Sequence, residues 1–257
     1  MQNKRYITVA LPAYNEAKNL PALLEKFQEI NCLYHSLFET RVLVINDSSN
    51  DDTVSVLNSL LPKLPNLKVD VIHHEVNRGL TGGINTAFDY FHKIYNSEHP
   101  PIAAGLMDGD NSHSPSILPT MVSKILEDYD VVIASRFRPG ARVEGVSAFR
   151  QVLSFGLTCL FKILRNLQGV RDYSCGYRLY SKRIVNLVKA RHVGDVVLEK
   201  SFASMVEILL KCDLEGALMT EVPFLLRYDL KLGESKMPFK KTILGNLRLL
   251  TTLRKYK

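Results

Sequence analysis

The chain has 257 residues, of which 46% are hydrophobic and 23% are charged, which is typical of a folded soluble protein. No stretch reaches the roughly eighteen consecutive apolar residues of a membrane-spanning helix, and the N-terminus lacks the apolar core of a signal peptide, so we expect a cytosolic protein. Residues 1–130 carry 10 Lys/Arg and 16 Asp/Glu, a net charge of −6, whereas residues 131–257 carry 23 and 10, a net charge of +13. The basic half either faces an anion or an anionic surface or is simply a solvated basic surface.

Short β-branched runs alternate with helical patterns over the first 137 residues. The predicted strands lie in residues 5–15, 41–47, 67–75, 101–110 and 129–137, and the predicted helices run from Glu16 to about Ile30, from near Asp51, over Gly83–Tyr95 and over Ser116–Leu126. This alternation predicts an α/β fold with a mostly parallel central sheet flanked by helices. Ligands of such sheets bind at the carboxyl ends of the strands, where the polar clusters of this sequence fall.

After Phe137 the sequence becomes more apolar and more basic. Residues 149–168 are apolar around much of a predicted helix, with a polar stripe at helical spacing. Residues 239–257 mix leucine and isoleucine with several Lys/Arg. Residues 148–168 and 239–257 are either ordinary helices packed on the sheet or helices lying in a membrane interface.

Two aspartates, Asp108 and Asp110, stand one residue apart at the end of the fourth predicted strand, in "MDGDNSHSP". Like charges this close repel, so each makes the other harder to ionise. A cation such as Mg²⁺ or Mn²⁺, shared between the carboxylates and a substrate diphosphate, would remove that repulsion. A plain turn is the alternative, and the position at a strand end favours the metal.

Two neighbouring loops carry further candidate binding residues. Asp47, after the second strand, could accept hydrogen bonds from a base or ribose, whereas Asp51 or Asp52 more simply caps the next helix. The glycines of "NRGLTGG", which begin at Gly79, could let the backbone approach a phosphate at a helix N-terminus. A tight turn explains these glycines better, since their spacing matches neither the P-loop nor the Rossmann fingerprint.

Several basic residues follow the fifth strand or end later polar runs. They are Arg136, Arg138, Arg142, Arg150, Arg178, Arg227 and Lys236. Guanidinium groups suit phosphate oxygens, although any one of these side chains could form only a surface ion pair. Because these residues occur together beside an apolar helix, they favour a ligand whose anionic group is attached to an apolar chain.

Taken together, these strings resemble family 2 glycosyltransferases of the GT-A fold, and more narrowly the dolichyl- or polyprenyl-phosphate mannose synthases. The resemblance covers nearly the whole chain, because "LPAYNEAKNL", "VINDSSNDDT", "NRGLTGGINTAF", "MDGDNSHSP", "ASRF", "SCGYRLYS" and "GESKM" occur in the family's order. It implies one GT-A catalytic domain over residues 1–257 without a transmembrane domain. Residues 1–137 would be the nucleotide-sugar-binding half, and residues 138–257 the acceptor- and membrane-facing half.

The resemblance also implies roles for individual residues. The nucleotide sugar would be held by Pro12, Tyr14, Glu16, Ile45, Asp47, Gly79, Asp108, Gly109 and Asp110. The Mg²⁺ or Mn²⁺ ligands would be Asp108, Asp110 and Ser112, which stands where these synthases often carry a glutamine. The acceptor phosphate would be bound by Arg136, Arg150, Ser154, Arg227 and Lys236, and the catalytic set would be Asp108, Asp110 and Arg136.

The expected reaction is the inverting transfer of a hexose to a polyprenyl or dolichyl monophosphate, with GDP-mannose as the first choice of donor and UDP-glucose or a UDP-N-acetylhexosamine as alternatives. A phosphate monoester is a dianion at neutral pH, so this acceptor needs no general base. The lipid acceptor implies an enzyme peripheral on the cytosolic face of a membrane, and it leaves room for a membrane-anchored partner subunit.

Two rival functions remain at this stage. A family 2 enzyme with a hydroxyl acceptor would need a general base, for which Asp195 or Glu199 could serve. The net charge of +13 over residues 131–257 is also compatible with a basic nucleic-acid-binding module. However, the aromatic residues are not interleaved with the basic ones as stacking platforms would be, so we expect no nucleic-acid partner.

Overall fold

The structure is a computed structural model that describes residues 5–200, 203–233 and 245. The chain forms nine strands and seven α-helices in this part. The strands are β1 (Tyr6–Ala13), β2 (Glu39–Asn46), β3 (Lys68–His73), β4 (Ala103–Leu106), β5 (Val131–Ser135), β6 (Arg142–Glu144), β7 (Arg178–Tyr180), β8 (Met219–Pro223) and β9 (Leu225–Arg227). The helices are α1 (Leu20–Tyr34), α2 (Thr53–Leu60), α3 (Gly79–Tyr95), α4 (Leu118–Leu126), α5 (Ala148–Leu164), α6 (Lys182–Arg191) and α7 (Ser204–Leu214).

Seven strands form one sheet in the order β3-β2-β1-β4-β7-β5-β8. The pairs β1–β2, β2–β3, β1–β4 and β5–β8 are parallel. The predicted mostly parallel α/β fold is therefore confirmed, and strands occur in all five segments where strands were predicted. The register pairs Val9 of β1 with Val42 of β2 and with Gly105 of β4, which brings the carboxyl ends of these three strands to one edge.

Strand β7 lies between β4 and β5 and runs antiparallel to both. Sequence patterning did not predict it, because three residues are too few to show a period. Gly105 makes the pairing with β4 feasible, since a Cβ at this position would lie 2.3 Å from the carbonyl oxygen of Arg178. Strands β6 and β9 form a separate parallel pair.

The core lies between the sheet and its helices. Helix α3 buries Ile84, Phe88, Phe91 and Tyr95 along one stripe at helical spacing, all of them fully buried. Burying each such side chain typically contributes about 1.5–3 kcal/mol. Close to the N-terminus of the same helix, a Cβ at Gly83 would lie 2.9 Å from the Cβ of Pro12, so the absence of a side chain lets α3 approach the end of β1.

Several helix boundaries differ from those that the sequence predicts. Helix α1 ends at Tyr34 rather than near Ile30, and helix α4 begins at Leu118 rather than Ser116. Helix α1 begins at Leu20 rather than Glu16, because the carbonyl of Glu16 accepts the backbone N–H groups of Asn19 and Leu20 in a preceding turn, and Pro21 occupies the first helical turn. Helix α3 begins at Gly79 rather than Gly83.

Helix α5 occupies the apolar segment predicted as a helix over residues 149–168. It carries several exposed apolar side chains, namely Val152, Phe155, Leu160, Ile163 and Leu164. Among the described residues, no helix is both long and apolar enough to cross a membrane. Apart from residue 245, the second predicted interfacial segment, residues 239–257, lies outside the described residues.

Candidate active site

The loops that follow β1, β2 and β4 meet at one edge of the sheet. The loop after β4 packs against the end of β1, since a Cβ at Gly109 would lie 3.1 Å from the carbonyl oxygen of Pro12. The loop after β1 is tied to the loop after β2, because Glu16 N–H donates to Thr53 Oγ1 and Asn15 N–H donates to Ser49 Oγ. These contacts bring the predicted metal-binding and nucleotide-binding segments together.

The acid pair stands in two different electrostatic surroundings. The side chain of Asp108 is 32% exposed and has no hydrogen-bond partner among the described residues; its nearest cationic candidate is His113, with 3.7 Å between Nδ1 and Asp108 Oδ2. Burial raises the pKa of Asp108 above its ordinary value; His113 opposes this and the charge of Asp110 adds to it. Burial also acts to raise the pKa of Asp110, but the charges of Lys231 and His113 and the hydrogen bonds from Lys231 and Ser112 together outweigh it and leave this pKa below its ordinary value.

Both carboxylate oxygens of Asp110 accept hydrogen bonds. Its Oδ2 lies 2.7 Å from Lys231 Nζ, and its Oδ1 accepts the Ser112 hydroxyl at 2.5 Å and the Ser112 backbone N–H at 3.1 Å. Ser112, predicted as a metal ligand, therefore orients Asp110 in this structure. Its role toward a metal stays a prediction.

These residues fit a hard divalent cation. Two carboxylates and a hydroxyl are oxygen donors of the kind that Mg²⁺ and Mn²⁺ prefer, and the ammonium at Asp110 shows that the position attracts positive charge. No group of three or more His, Cys, Asp or Glu that could hold a metal occurs in the part of the chain that the structure describes. Oxygens of a substrate would have to complete the coordination.

Arg136 is held beside the acid pair by a buried carboxylate. Its Nε and Nη2 donate to Asp172 at 2.7 Å each, and Nη2 also donates to Ser174 Oγ at 2.7 Å. Asp172 and, more weakly, Asp108 raise the pKa of Arg136 above its ordinary value, although burial opposes this. Gly176 leaves room for Asp108, since a Cβ there would lie 3.3 Å from Asp108 Oδ1.

Asp47 anchors the start of helix α3. Its carboxylate accepts the backbone N–H groups of Arg78 and Gly79 at 2.8 Å each, and its Oδ1 lies 2.6 Å from His74 Nδ1. Gly79 has a φ of +66°, a conformation that side chains disfavour, so the glycine is needed for this turn. The tight-turn alternative for this loop thus has a structural basis, and nucleotide contacts of Asp47 and Gly79 stay predictions.

The other predicted nucleotide residues lie at or behind the same edge. Glu16 is buried and accepts the side-chain N–H of Asn19 at 2.6 Å. Pro12 and Tyr14 are half-buried at the end of β1 and in the loop that follows it. Ile45 is fully buried within β2, so its side chain packs in the interior of the protein in this structure. A nucleotide contact of Ile45 stays a prediction.

The predicted acceptor residues are more scattered. Arg150 and Ser154 lie on α5, where Ser154 is half-buried; the side chain of Arg150 and the whole of Lys236 lie outside what the structure describes. Arg227 is bonded to Asp229, with 2.8 Å between Nη2 and Oδ2, and to Glu144. Of the predicted acceptor residues, Arg136 is the one whose charge acts on the pKa of Asp108.

Three further residues belong to the site but were not predicted. They are His113, Asp172 and Lys231, which contact Asp108, Arg136 and Asp110 respectively. His113 is adjacent in sequence to the acid motif and could have been proposed from that position alone. Asp172 and Lys231 are distant in sequence from their partners, so no local pattern identifies them.

The glycosyl transferase family 2 model matches residues 8–187. The chain belongs to this family. The predicted family 2 glycosyltransferase is thereby confirmed, and the non-enzymatic rival is wrong.

Similar proteins include named lipid-phosphate mannosyltransferases. The dolichol-phosphate mannosyltransferase of Pyrococcus furiosus is 28% identical over 251 residues, which are 97% of this chain and 64% of that protein. This chain thus matches less than two thirds of that relative's length. The polyprenol monophosphomannose synthase of Mycolicibacterium smegmatis is 26% identical over 89% of this chain and 80% of its own.

Solved structures share the fold. Glucosyl-3-phosphoglycerate synthase of Mycobacterium tuberculosis, in complex with Mn²⁺, uridine diphosphate and phosphoglyceric acid, aligns with a TM-score of 0.65 at 18% identity over 98% of this chain and 78% of its own. Mannosyl-3-phosphoglycerate synthase of Rubrobacter xylanophilus aligns with a TM-score of 0.62 at 15% identity over 98% of this chain and 75% of its own. The predicted GT-A fold is confirmed.

Proposed function

We propose that this glycosyltransferase moves a hexose from a nucleoside diphosphate sugar to a polyprenyl or dolichyl monophosphate, with inversion at the anomeric carbon. The observation that carries the proposal is the acid pair Asp108 and Asp110 at the carboxyl edge of the sheet, with the guanidinium of Arg136 close enough to Asp108 for each to shift the pKa of the other. The names of the Pyrococcus and Mycolicibacterium relatives support a lipid-phosphate acceptor and mannose as the sugar. We propose GDP-mannose as donor, ahead of UDP-glucose and UDP-N-acetylhexosamines.

In this mechanism Asp108, Asp110 and Ser112 would hold Mg²⁺ or Mn²⁺. The bound dication would neutralise the departing diphosphate and so stabilise the charge that develops in the transition state. The nucleotide would lie against Pro12, Tyr14, Glu16, Ile45, Asp47, Gly79 and Gly109.

Arg136 would orient the acceptor. Asp172 and Ser174 occupy its Nε and Nη2, and its Nη1 has no partner among the described residues, which leaves an N–H edge for a phosphate oxygen. A phosphate monoester has a second pKa of about 6, so it attacks as a dianion without a general base. Arg150, Ser154, Arg227 and Lys236 would complete the phosphate site.

The half of the chain that follows residue 137 would face the cytosolic side of a membrane. Val152, Phe155 and Ile163 of α5 recur at helical spacing and are 70%, 55% and 81% exposed, so they offer an apolar strip to the lipid interface. Residues 239–257 would add basic side chains for anionic headgroups. A membrane-anchored partner subunit would be a further partner at this surface.

A donor and acceptor panel tests the reaction. The protein is incubated with radiolabelled GDP-mannose, UDP-glucose or UDP-N-acetylglucosamine, together with polyprenyl phosphate and Mn²⁺, and labelled lipid is extracted. We expect label in the lipid phase with GDP-mannose, whereas sugar found on water-soluble products alone would contradict the lipid acceptor.

Asp110→Ala tests the acid pair. We expect turnover to fall by roughly two to three orders of magnitude, the usual effect of removing a group that stabilises transition-state charge. Asp89→Ala is the matched control, because Asp89 pairs with Lys189 with its side chain 63% exposed. Equal turnover in the two variants would contradict the role of Asp110.

Asp195→Asn and Glu199→Gln distinguish the hydroxyl-acceptor alternative. Asp195 lies 4.0 Å from Arg78 Nη2 at the start of α3, and neither acid has a described contact with Asp108 or Asp110. We expect both variants to keep near-full activity with polyprenyl phosphate. A large loss of turnover at either position would favour an acceptor that needs a general base.

Liposome flotation tests the membrane surface. Phe155→Ser and Ile163→Ser should each weaken binding to vesicles that contain anionic lipid. Leu33→Ser on α1 is the control, since Leu33 is 71% exposed on another helix. Equal losses for the three variants would contradict a membrane-facing α5.

A further inference from the structure

A short segment after β9 is fastened to both ends of the site. We call residues Tyr228–Gly233 the strap. Immediately before it, Arg227 N–H donates to the carbonyl of Ser112 at 2.9 Å. Within it, Leu232 N–H donates to Asn19 Oδ1 at 2.8 Å, and Asn19 Nδ2 donates to the carbonyl of Leu232 at 3.0 Å. Asn19 is buried at the start of α1, so these two bonds fix both the backbone N–H and the backbone carbonyl of Leu232.

The strap delivers a cation to the acid pair. Lys231 Nζ lies 2.7 Å from Asp110 Oδ2, and the side chains of the two residues are 11% and 13% exposed. The ammonium also lies 5.3 Å from the centre of the Tyr228 ring. Arg227, the basic residue predicted for this region, is turned to Glu144 and Asp229 instead. Among the described residues of this region, Lys231 is therefore the cation that reaches the site.

The lysine and a dication compete for the same carboxylate. A dication coordinated by Asp110 Oδ2 would need the lone pairs that the ammonium uses at 2.7 Å, and the two positive charges would repel strongly in a half-buried site. A lysine has a flexible four-carbon stem with three donors, so its ammonium can move while Asn19 holds the strap backbone. Lys231 also lines a cavity of about 420 Å³ next to Glu16.

The group that would receive the displaced ammonium is the diphosphate of the donor. In the proposed reaction it would bind together with the dication and would bring negative oxygens to the same edge of the sheet. An ammonium that leaves one anion at short range is stabilised most by another anion within reach of its stem.

We propose that Lys231 is a donor-binding residue: it neutralises Asp110 while no dication is bound, and it bonds to the donor diphosphate once the dication takes its place. This inference rests on the proposed function. It predicts effects of opposite sign on metal binding and on diphosphate binding, which a merely structural lysine would not produce.

The first measurement is Mn²⁺ binding to the nucleotide-free protein, followed by the electron paramagnetic resonance signal of free Mn²⁺. Lys231→Met should bind Mn²⁺ roughly tenfold more tightly than the unchanged protein, since a charge-assisted hydrogen bond no longer has to be broken. Lys124→Met is the matched control, because Lys124 forms a similar pair with Glu127 on the surface and should leave Mn²⁺ affinity unchanged.

The second measurement is calorimetric binding of GDP and of UDP at saturating Mn²⁺. Lys231→Met should weaken the nucleotide that binds the unchanged protein more tightly, again by roughly tenfold, and Lys231→Arg should restore most of that affinity. Tighter Mn²⁺ binding without loss of nucleotide affinity would overturn the transfer to the diphosphate.

Two results separate this inference from the proposed function. If the unchanged protein binds neither Mn²⁺ nor Mg²⁺, the metal-dependent mechanism fails and this inference fails with it. If the unchanged protein binds Mn²⁺ and Lys231→Met binds it no more tightly, only the role of Lys231 is overturned.

Asn19→Ala gives an independent result should Lys231→Met fold poorly. It removes both bonds to Leu232, so Lys231 should be held less firmly at Asp110 and Mn²⁺ should bind more tightly, by less than in Lys231→Met. Unchanged Mn²⁺ affinity in a folded Asn19→Ala protein would overturn the role of the strap.

Discussion

Replacing Asp172 by asparagine removes the carboxylate that holds Arg136 beside the acid pair. The Asp172 side chain is fully buried and accepts two guanidinium N–H groups at 2.7 Å, together with the backbone N–H groups of Arg136 and Cys175 at 3.1 Å. Asparagine keeps the shape but turns one acceptor oxygen into a donor, so at least one donor loses its partner and the guanidinium charge is left uncompensated. Breaking a buried ion pair in this way typically costs about 3–5 kcal/mol. Because the Arg136 side chain is still 20% exposed, we expect a loss of about 3 kcal/mol in the free energy of unfolding.

The measurement is urea unfolding followed by circular dichroism, with Asp213→Asn as the matched control. Asp213 pairs with Arg165 at 3.1 Å, but the two side chains are 32% and 25% exposed. An exposed pair of this kind contributes about 0–1 kcal/mol, because water screens it. If Asp172→Asn loses no more stability than Asp213→Asn, the reasoning from burial is refuted.

The same variant has a predictable pH dependence. Burial alone would raise the pKa of Asp172, but the charge and hydrogen bonds of Arg136 outweigh it and hold this pKa below its ordinary value. An unfolded aspartate has a pKa of about 3.9, so the stabilisation by the ionised carboxylate is fully present above that pH and is lost as pH falls through the lower folded value. The stability difference between the unchanged protein and Asp172→Asn should therefore be constant from neutral pH down to about pH 4 and shrink below it.

Three further predictions concern backbone packing at two glycines, a buried ion pair and the reactivity of two cysteines. Gly105→Ala should lower the free energy of unfolding by about 1–3 kcal/mol, because its Cβ would meet a β7 carbonyl oxygen at 2.3 Å; Gly156→Ala on α5, where nothing lies within 4 Å, should be neutral or stabilising by about 0.5–1 kcal/mol. Lys211→Met should lower the free energy of unfolding in urea by about 3–5 kcal/mol, because it removes the ammonium that lies 2.8 Å from the buried carboxylate of Glu207. A loss of stability below about 1 kcal/mol, as for an exposed pair, would contradict this. Burial raises the pKa of Cys175 to about 12, so Ellman's reagent at about pH 8 should label the exposed Cys32 quickly and Cys175 only after unfolding, as peptide mapping would show.

The candidate site was only partly predictable. Asp108 and Asp110 were identifiable because a motif within three residues carries its own signal at the end of an apolar run. Arg136 was identified for the same reason, but its bidentate bond to Asp172 was not, because the partner lies 36 residues further along the chain. The sequence also indicated Arg227 as a phosphate ligand; its side chain contacts Glu144 and Asp229 in the structure, and a phosphate contact stays a prediction.

The alternation of strands and helices, the parallel sheet and the polar residues at its carboxyl edge follow from the sequence by itself, because side-chain periodicity and strand-end chemistry are local properties. Only the tertiary structure decided that β7 enters the sheet between β4 and β5, and that Lys231 rather than Arg227 meets the acid pair. Lys231 and Asp110 are 121 residues apart, and Asn19 and Leu232 are 213 residues apart. Contacts at such separations depend on how the whole sheet packs, and that packing leaves no periodic trace in the residues that make the contact.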